Sequence, residues 1–223
     1  MRVRLLLLLV LGCSMWAMDA HAQTGPCPGG APLAFEGAEG FGKCSQGGRG
    51  GVVVDVTNLN NSGAGSLREC AELMSGPRTC RIMVAGTVSL GTYDITVRNP
   101  YLTIDGTNYP MALKDGGLDI RASHTIIRHL RIRPGNASFA QRGVNANAIT
   151  YRSTESGGLT TDHIADHVSL SWTTDDTIAI VYGVKNVTIQ DSILSEGLVS
   201  GANCGNCSSK GILGKVDDLV TVP

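Results

Sequence analysis

Short apolar runs rich in β-branched residues follow one another along this chain, each closed off by Gly, Asn, Asp or Pro. The first, Val52–Val56, meets turn chemistry at 58–65, and residues 66–73 then read as a short helix begun by a serine cap. Beyond Cys80 the runs recur at 81–88, 93–97, 101–104, 118–120 and 125–132. They continue at 148–151, 163–170, 177–181 and 187–194. Runs of this length and composition predict strands rather than helices.

The strands also keep a spacing. Aligning YLTID, HTIIR, DHIAD and NVTIQ on their last residues, Asp105, Arg128, Asp166 and Gln190, gives steps of 23, 38 and 24. The long middle step is one repeat plus an insertion, and the Gly/Pro/Asn-containing segment 134–144 can supply it. A period of about 20–25 residues is what a solenoid of stacked short strands produces, because each coil buries its apolar face against its neighbours. A β-sandwich of evenly spaced antiparallel strands is the alternative. It calls for hairpin turns between strands, and few are present, so a parallel β-helix is the preferred reading.

Composition supports this picture. The 223 residues suffice for one substantial core or at most two small domains. Glycine is abundant at 29 residues and aromatics are scarce at 4%, a balance that suits strands joined by tight turns. The formal net charge of −1 gives no electrostatic footprint for nucleic acid or an anionic membrane.

The first residues read as an export signal, residues 1–22. Arg2 and Arg4 precede an apolar run at 5–11, and Ala20-His21-Ala22 is a cleavage site that would leave Gln23 first. The apolar run is too short to span a bilayer. In the alternative reading, Val10-Leu11-Gly12-Cys13 is a lipoprotein box with Cys13 as the lipidated residue. A Gly/Pro-rich lead occupies 23–34, and 35–223 forms the main domain.

Removal of the signal leaves six cysteines, at 27, 44, 70, 80, 204 and 207, and an even number in an exported chain suggests disulfides. Proximity favours Cys27–Cys44, Cys70–Cys80 and Cys204–Cys207, though fifteen pairings are open. Cys204-Gly205-Asn206-Cys207 has redox or zinc spacing, but without a partner pair it reads as a structural bridge.

Six segments in order carry a family resemblance: FEGAEGFG (35–42), GGRGG (47–51), VTNLNNSGAGSLRE (56–69), TIIRHLRIRPGN (125–136), DHVSLSWTTDD (166–176) and IQDSILSEGL (189–198). Together they resemble family 1 pectate lyases, which cleave polygalacturonate by β-elimination. The resemblance implies an all-β, right-handed parallel β-helix, a single-stranded solenoid incomplete at its C-terminal end. It also implies a secreted, monomeric protein whose partner is polygalacturonate or pectin and whose cofactor is Ca²⁺. In such enzymes Ca²⁺ held by carboxylates bridges to the substrate carboxylate, and an arginine takes the C5 proton; the C4 oxygen then departs. A hard cation with oxygen ligands suits both partners and stabilises the developing charge.

By the same resemblance Asp175 and Asp176 are the calcium carboxylates, with Asp175 favoured. Where relatives carry Asp-x-Asp, this chain reads Asn145-Ala146-Asn147, whose amide oxygens coordinate without charge and so weaken affinity. Lys210, in Ser-Ser-Lys-Gly, matches a basic residue that contacts the substrate carboxylate. Asp166-His167 matches a pair that orders the coil interior, and Trp172 is placed either to pack or to stack on a sugar. Arg128, Arg131 and Arg133 fall along one predicted strand and are read as a row that could meet a polyanion or, more simply, as the solvated face of the strand. No residue matches the catalytic arginine, which is expected beyond Pro223. A chain without that base would be inactive. Two other functions remain: a non-catalytic carbohydrate-binding β-helix, and a polygalacturonase-type hydrolase using carboxylates such as Asp162, Asp166, Asp175 and Asp176.

Overall fold

The structure is a computed structural model that describes residues 26–137, 141, 146–198 and 209–214. Its strands succeed one another as coils. β1 (Val52–Val56) opens the first. β2 (Arg78–Ile82), β3 (Gly86–Ser89) and β4 (Ile95–Val97) make the second. β5 (Leu102–Asp105), β6 (Met111–Lys114) and β7 (Leu118–Ile120) make the third. β8 (Thr125–Arg128), β9 (Leu130–Arg133) and β10 (Ile149–Tyr151) follow. The fifth coil holds β11 (Thr160–Asp166), β12 (Ser169–Ser171) and β13 (Asp176–Ile180). The sixth holds β14 (Val184–Gln190), β15 (Ile193–Ser195) and β16 (Lys210–Gly214).

Corresponding strands of successive coils pair in parallel, giving three sheets ordered β1-β2-β5-β8-β11-β14, β3-β6-β9-β12-β15 and β4-β7-β10-β13-β16. This is a right-handed parallel β-helix. The register repeats the spacing read from sequence: Asp105 pairs with Arg128, Arg128 with Asp166, and Asp166 with Gln190. Inward positions therefore stack as columns, such as Ile104, Ile127, Ala165 and Ile189, and the columns fuse into one core. No helix among the described residues is long and apolar enough to cross a membrane.

Several predicted strands are divided in the structure. The runs 125–132, 163–170 and 187–194 each break at one left-handed residue, His129 (φ 52), His167 (φ 52) and Asp191 (φ 48). One such residue turns the strand into the next sheet without disturbing the apolar alternation, so hydrophobicity alone cannot show the corner. As a consequence Arg128 lies on β8 and Arg131 and Arg133 on β9, and the three do not share a strand face. The strand Met111–Lys114 had no sequence signal, because Met, Ala, Leu and Lys favour helix. β16 was likewise not anticipated.

The core's first end is closed by a π-type helical turn, Glu69–Leu73, whose Cys70 and Ala71 are buried. Ser66 Oγ accepts a bond from the Glu69 amide at 3.2 Å, the predicted serine cap. Arg78 is wholly buried beneath this turn and donates to the carbonyls of Cys70, Ala71, Gly76, Asn99 and Pro100. Burial pulls its pKa down to about 10.

The glycine-rich segment 34–51 lies as a strap across the outer face of the first sheet. The Gly42 amide donates to Thr188 Oγ1 and the Gly48 amide to Thr103 Oγ1, each at 2.9 Å. A Cβ on Gly42 would collide with the His163 carbonyl, so close backbone approach explains the glycine there. Under the strap, Ile126 and Ile164 pack against Ala38.

Disulfides join Cys27 to Cys44 and Cys70 to Cys80, two of the pairs that proximity favoured. Cys204 and Cys207 lie outside the described residues, as does the predicted signal at 1–22, including Cys13.

Candidate functional site

The acidic pair sits at the corner leading into the third sheet. Asp175 ends the turn after β12 and is half-buried; Asp176 begins β13 and is 4% exposed. The turn is locked to the preceding coil by reciprocal bonds. The Ala146 amide donates to Thr174 Oγ1 at 2.9 Å, and the Thr174 amide donates to the Ala146 carbonyl at 3.2 Å.

Asn147 continues this connection. Its Oδ1 accepts a bond from the Asp176 amide at 3.0 Å, and its Nδ2 donates to Thr150 Oγ1 at 3.1 Å. The amide oxygen expected to face a cation is therefore already bonded to the backbone of the acidic pair. Asn145 lies outside the described residues.

Lys210 approaches from the following coil. It pairs in register with Asp176, and its amide donates to the Asp175 carbonyl at 3.1 Å. Its ammonium lies 3.5 Å from Asp176 Oδ1. Three coils thus bring Asn147, Asp175, Asp176 and Lys210 to one patch. Among the described residues, none bonds the Asp175 carboxylate.

The donors are oxygens, and in kind they fit a hard cation such as Ca²⁺. Asp175 supplies the less encumbered carboxylate, whereas Asp176 is shared with Lys210. Thr174, which holds the turn to Ala146, was missed by sequence reading; its place beside the acidic pair was the available signal.

Trp172, with φ 62, is 49% exposed, and its indole N–H donates to Glu196 Oε2 at 3.0 Å. It is a presented ring rather than a packed one. Arg133 is turned along the surface toward β12 and donates to Ser169 Oγ at 2.7 Å.

Asp166 has a different task. It is 1% exposed and accepts bonds from Arg128 Nε (2.9 Å) and Gln190 Nε2 (3.0 Å), on the coils to either side. His167 Nδ1 lies 3.0 Å from Oδ1, the oxygen that Gln190 also bonds, whereas Arg128 holds Oδ2. Burial opposes its charge, but the bonds from Arg128 and His167 outweigh burial and hold the carboxyl below the usual carboxylate range. The Arg128 guanidinium also covers the Phe35 ring at 3.9 Å.

No protein-family model matches the chain. Among curated proteins it is 36% identical over 179 residues to a probable pectate lyase C of Emericella nidulans, covering 78% of this chain and 39% of that protein. It is 38% identical over 180 residues to a probable pectate lyase C of Aspergillus oryzae, with the same two coverages. The chain therefore spans about two fifths of the length of these relatives. Among solved structures it is similar to that of jun a 1, the major allergen from cedar pollen. The TM-score is 0.55 and the identity 27%, over 68% of this chain and 47% of that one.

Proposed function

The chain is a relative of the pectate lyases in sequence and in fold, and on that premise we propose that it serves calcium-assisted, β-eliminative cleavage of polygalacturonate. The observation that carries the proposal is the meeting of Asp175, Asp176 and Lys210 on adjacent coils, one of them paired in register with the next. Asp175 and Asp176 would hold Ca²⁺, which when bound supplies Lewis-acid stabilisation of the charge developing at the sugar. Asn147 orients the acidic pair through its bond to the Asp176 amide. Lys210 would receive a uronate carboxylate, exchanging its contact with Asp176 for one with substrate. Trp172, three residues before Asp175 in the chain, offers an exposed ring for a sugar face.

On this reading the proton at C5 passes to an arginine that none of the described residues supplies. A second reading, carbohydrate binding without turnover, is favoured by the Lys210–Asp176 contact, which neutralises one of the two carboxylates. The leader pattern at 1–22 and the two disulfides support export to an oxidising compartment.

The test is titration of the whole chain with oligogalacturonate, with and without Ca²⁺, alongside an assay for unsaturated uronide ends. Calcium-dependent binding that weakens at least tenfold in D175N supports the site, and unsaturated ends identify turnover. Binding without such ends selects the second reading. Binding indifferent to both chelator and D175N overturns the assignment.

A further inference from the structure

A second concentration of ligand atoms lies at another corner of the coil, between the first and second sheets. The residues that turn this corner are stacked on successive coils: His129, His167 and Asp191, all left-handed. Their backbones are tied in the same order, with the His129 amide donating to the Asp166 carbonyl and the His167 amide to the Gln190 carbonyl. Equal backbone conformation on strands spaced by about 4.8 Å projects equal side chains in parallel. The two imidazole rings accordingly lie 4.8 Å apart, tilted by 33°. They open onto a groove of about 380 Å³ that Thr107, Ser169 and Asp191 also line.

Two features make this pair more than stacked rings. His167 Nδ1 is 3.0 Å from the Asp166 carboxylate, which is buried and fixed by Arg128 and Gln190. A neutral imidazole donating from Nδ1 to a fixed carboxylate presents its Nε2 lone pair outward, the arrangement in which histidines bind metals. His129 is half-buried beside Arg128, and burial together with that charge lowers its proton affinity, which favours the neutral form. The ligand atoms of His129, Asp166 and His167 lie within 4.8 Å of one another. Metal–nitrogen bonds of ~2.0–2.1 Å require two imidazole nitrogens roughly 3.3 Å apart, a short closure from the 4.8 Å within which these ligand atoms lie.

We propose that His129 and His167 form a binding site for a borderline divalent transition metal of the Zn²⁺ class, with Asp166 positioning His167 from behind. Imidazole nitrogen selects such ions over Ca²⁺, so the site differs in chemistry from the oxygen-lined patch at Asp175 and Asp176. A bound ion would staple the fourth coil to the fifth across the corner where each strand breaks.

The test is calorimetric titration of the oxidised, metal-stripped whole chain with ZnCl₂ in the presence of excess CaCl₂. One saturable site is expected, with Kd raised at least tenfold in H129Q and in H167Q and unchanged in H124Q. Circular dichroism of each metal-free variant verifies that it is folded. D166N, which leaves both imidazoles in place, is expected to weaken binding by 10-fold or more. Zinc binding that survives H129Q and H167Q, whether or not thiol blocking abolishes it, would place the ion elsewhere and overturn the proposal. Absence of saturable binding to the folded chain would overturn it as well.

Discussion

The ammonium of Lys210 lies 3.5 Å from Oδ1 of Asp176, across two strands on which these residues are direct register partners. An ammonium there competes with a cation for the same carboxylate and also attracts a substrate carboxylate. The two functions separate on substitution. Lys210→Met is expected to tighten Ca²⁺ binding several-fold, since removal of a solvent-screened pair of this kind changes the balance by roughly 1 kcal/mol. The same change should weaken oligogalacturonate binding. Calorimetry with each ligand reads both signs, and loss of calcium affinity in the variant would contradict the assignment.

Arg78 is expected to be the residue on which the first end of the solenoid depends. Its guanidinium satisfies five backbone carbonyls under the turn Glu69–Leu73. Arg78→Met keeps much of the volume but leaves buried carbonyls unbonded, at a cost of roughly 3 kcal/mol or more. Arg78→Lys should recover only part, because an ammonium cannot span the fork of acceptors. Urea denaturation of the two variants ranks them, and equal stability to the parent would refute the role.

Gly42 tests the strap. Its amide bonds Thr188 while its Cα lies against the His163 backbone, leaving no room for a methyl group. Gly42→Ala is expected to destabilise by about 1–3 kcal/mol through forced displacement of backbone. Gly50, which has open space around it but a φ of 79, should respond through backbone strain alone. Hydrogen exchange at the outer face of the first sheet should accelerate in Gly42→Ala and stay unchanged in Gly50→Ala.

The spacing of Asp105, Arg128, Asp166 and Gln190 revealed the register residue by residue, because each coil repeats the same inward apolar positions. The corners were hidden. His129 and His167 occupy a left-handed conformation without glycine, and their neighbours keep alternating as if the strand ran on. The acidic pair and Lys210 were legible only through a family resemblance, since adjacent aspartates and a lysine carry no spacing signal. The Asn147 bond to the Asp176 amide could not be read at all: it depends on the pairing of β10 with β13 across a coil of unequal length.

His163 gives the solenoid a pH dependence that can be worked out. It is wholly buried, its Nδ1 is 2.8 Å from Thr125 Oγ1, and its ring meets that of Tyr151 at 5.0 Å. Burial, with a smaller contribution from the charge of His124, lowers its pKa from 6.5 to about 3. Between those two values the unfolded chain binds a proton at this position and the folded chain does not. Stability therefore falls as pH drops below about 6.5, by up to about 1.4 kcal/mol per pH unit, until the folded state also titrates near pH 3. His163→Gln cannot titrate and should remove that slope while the contribution of the carboxylates persists in both proteins. The measurement is denaturant unfolding at several pH values between 4 and 7, roughly the window in which the histidine acts alone on the difference. The parent-minus-variant stability should decline toward acid. A difference independent of pH would mean that folded His163 takes up its proton as readily as the unfolded chain does, and would refute the assignment.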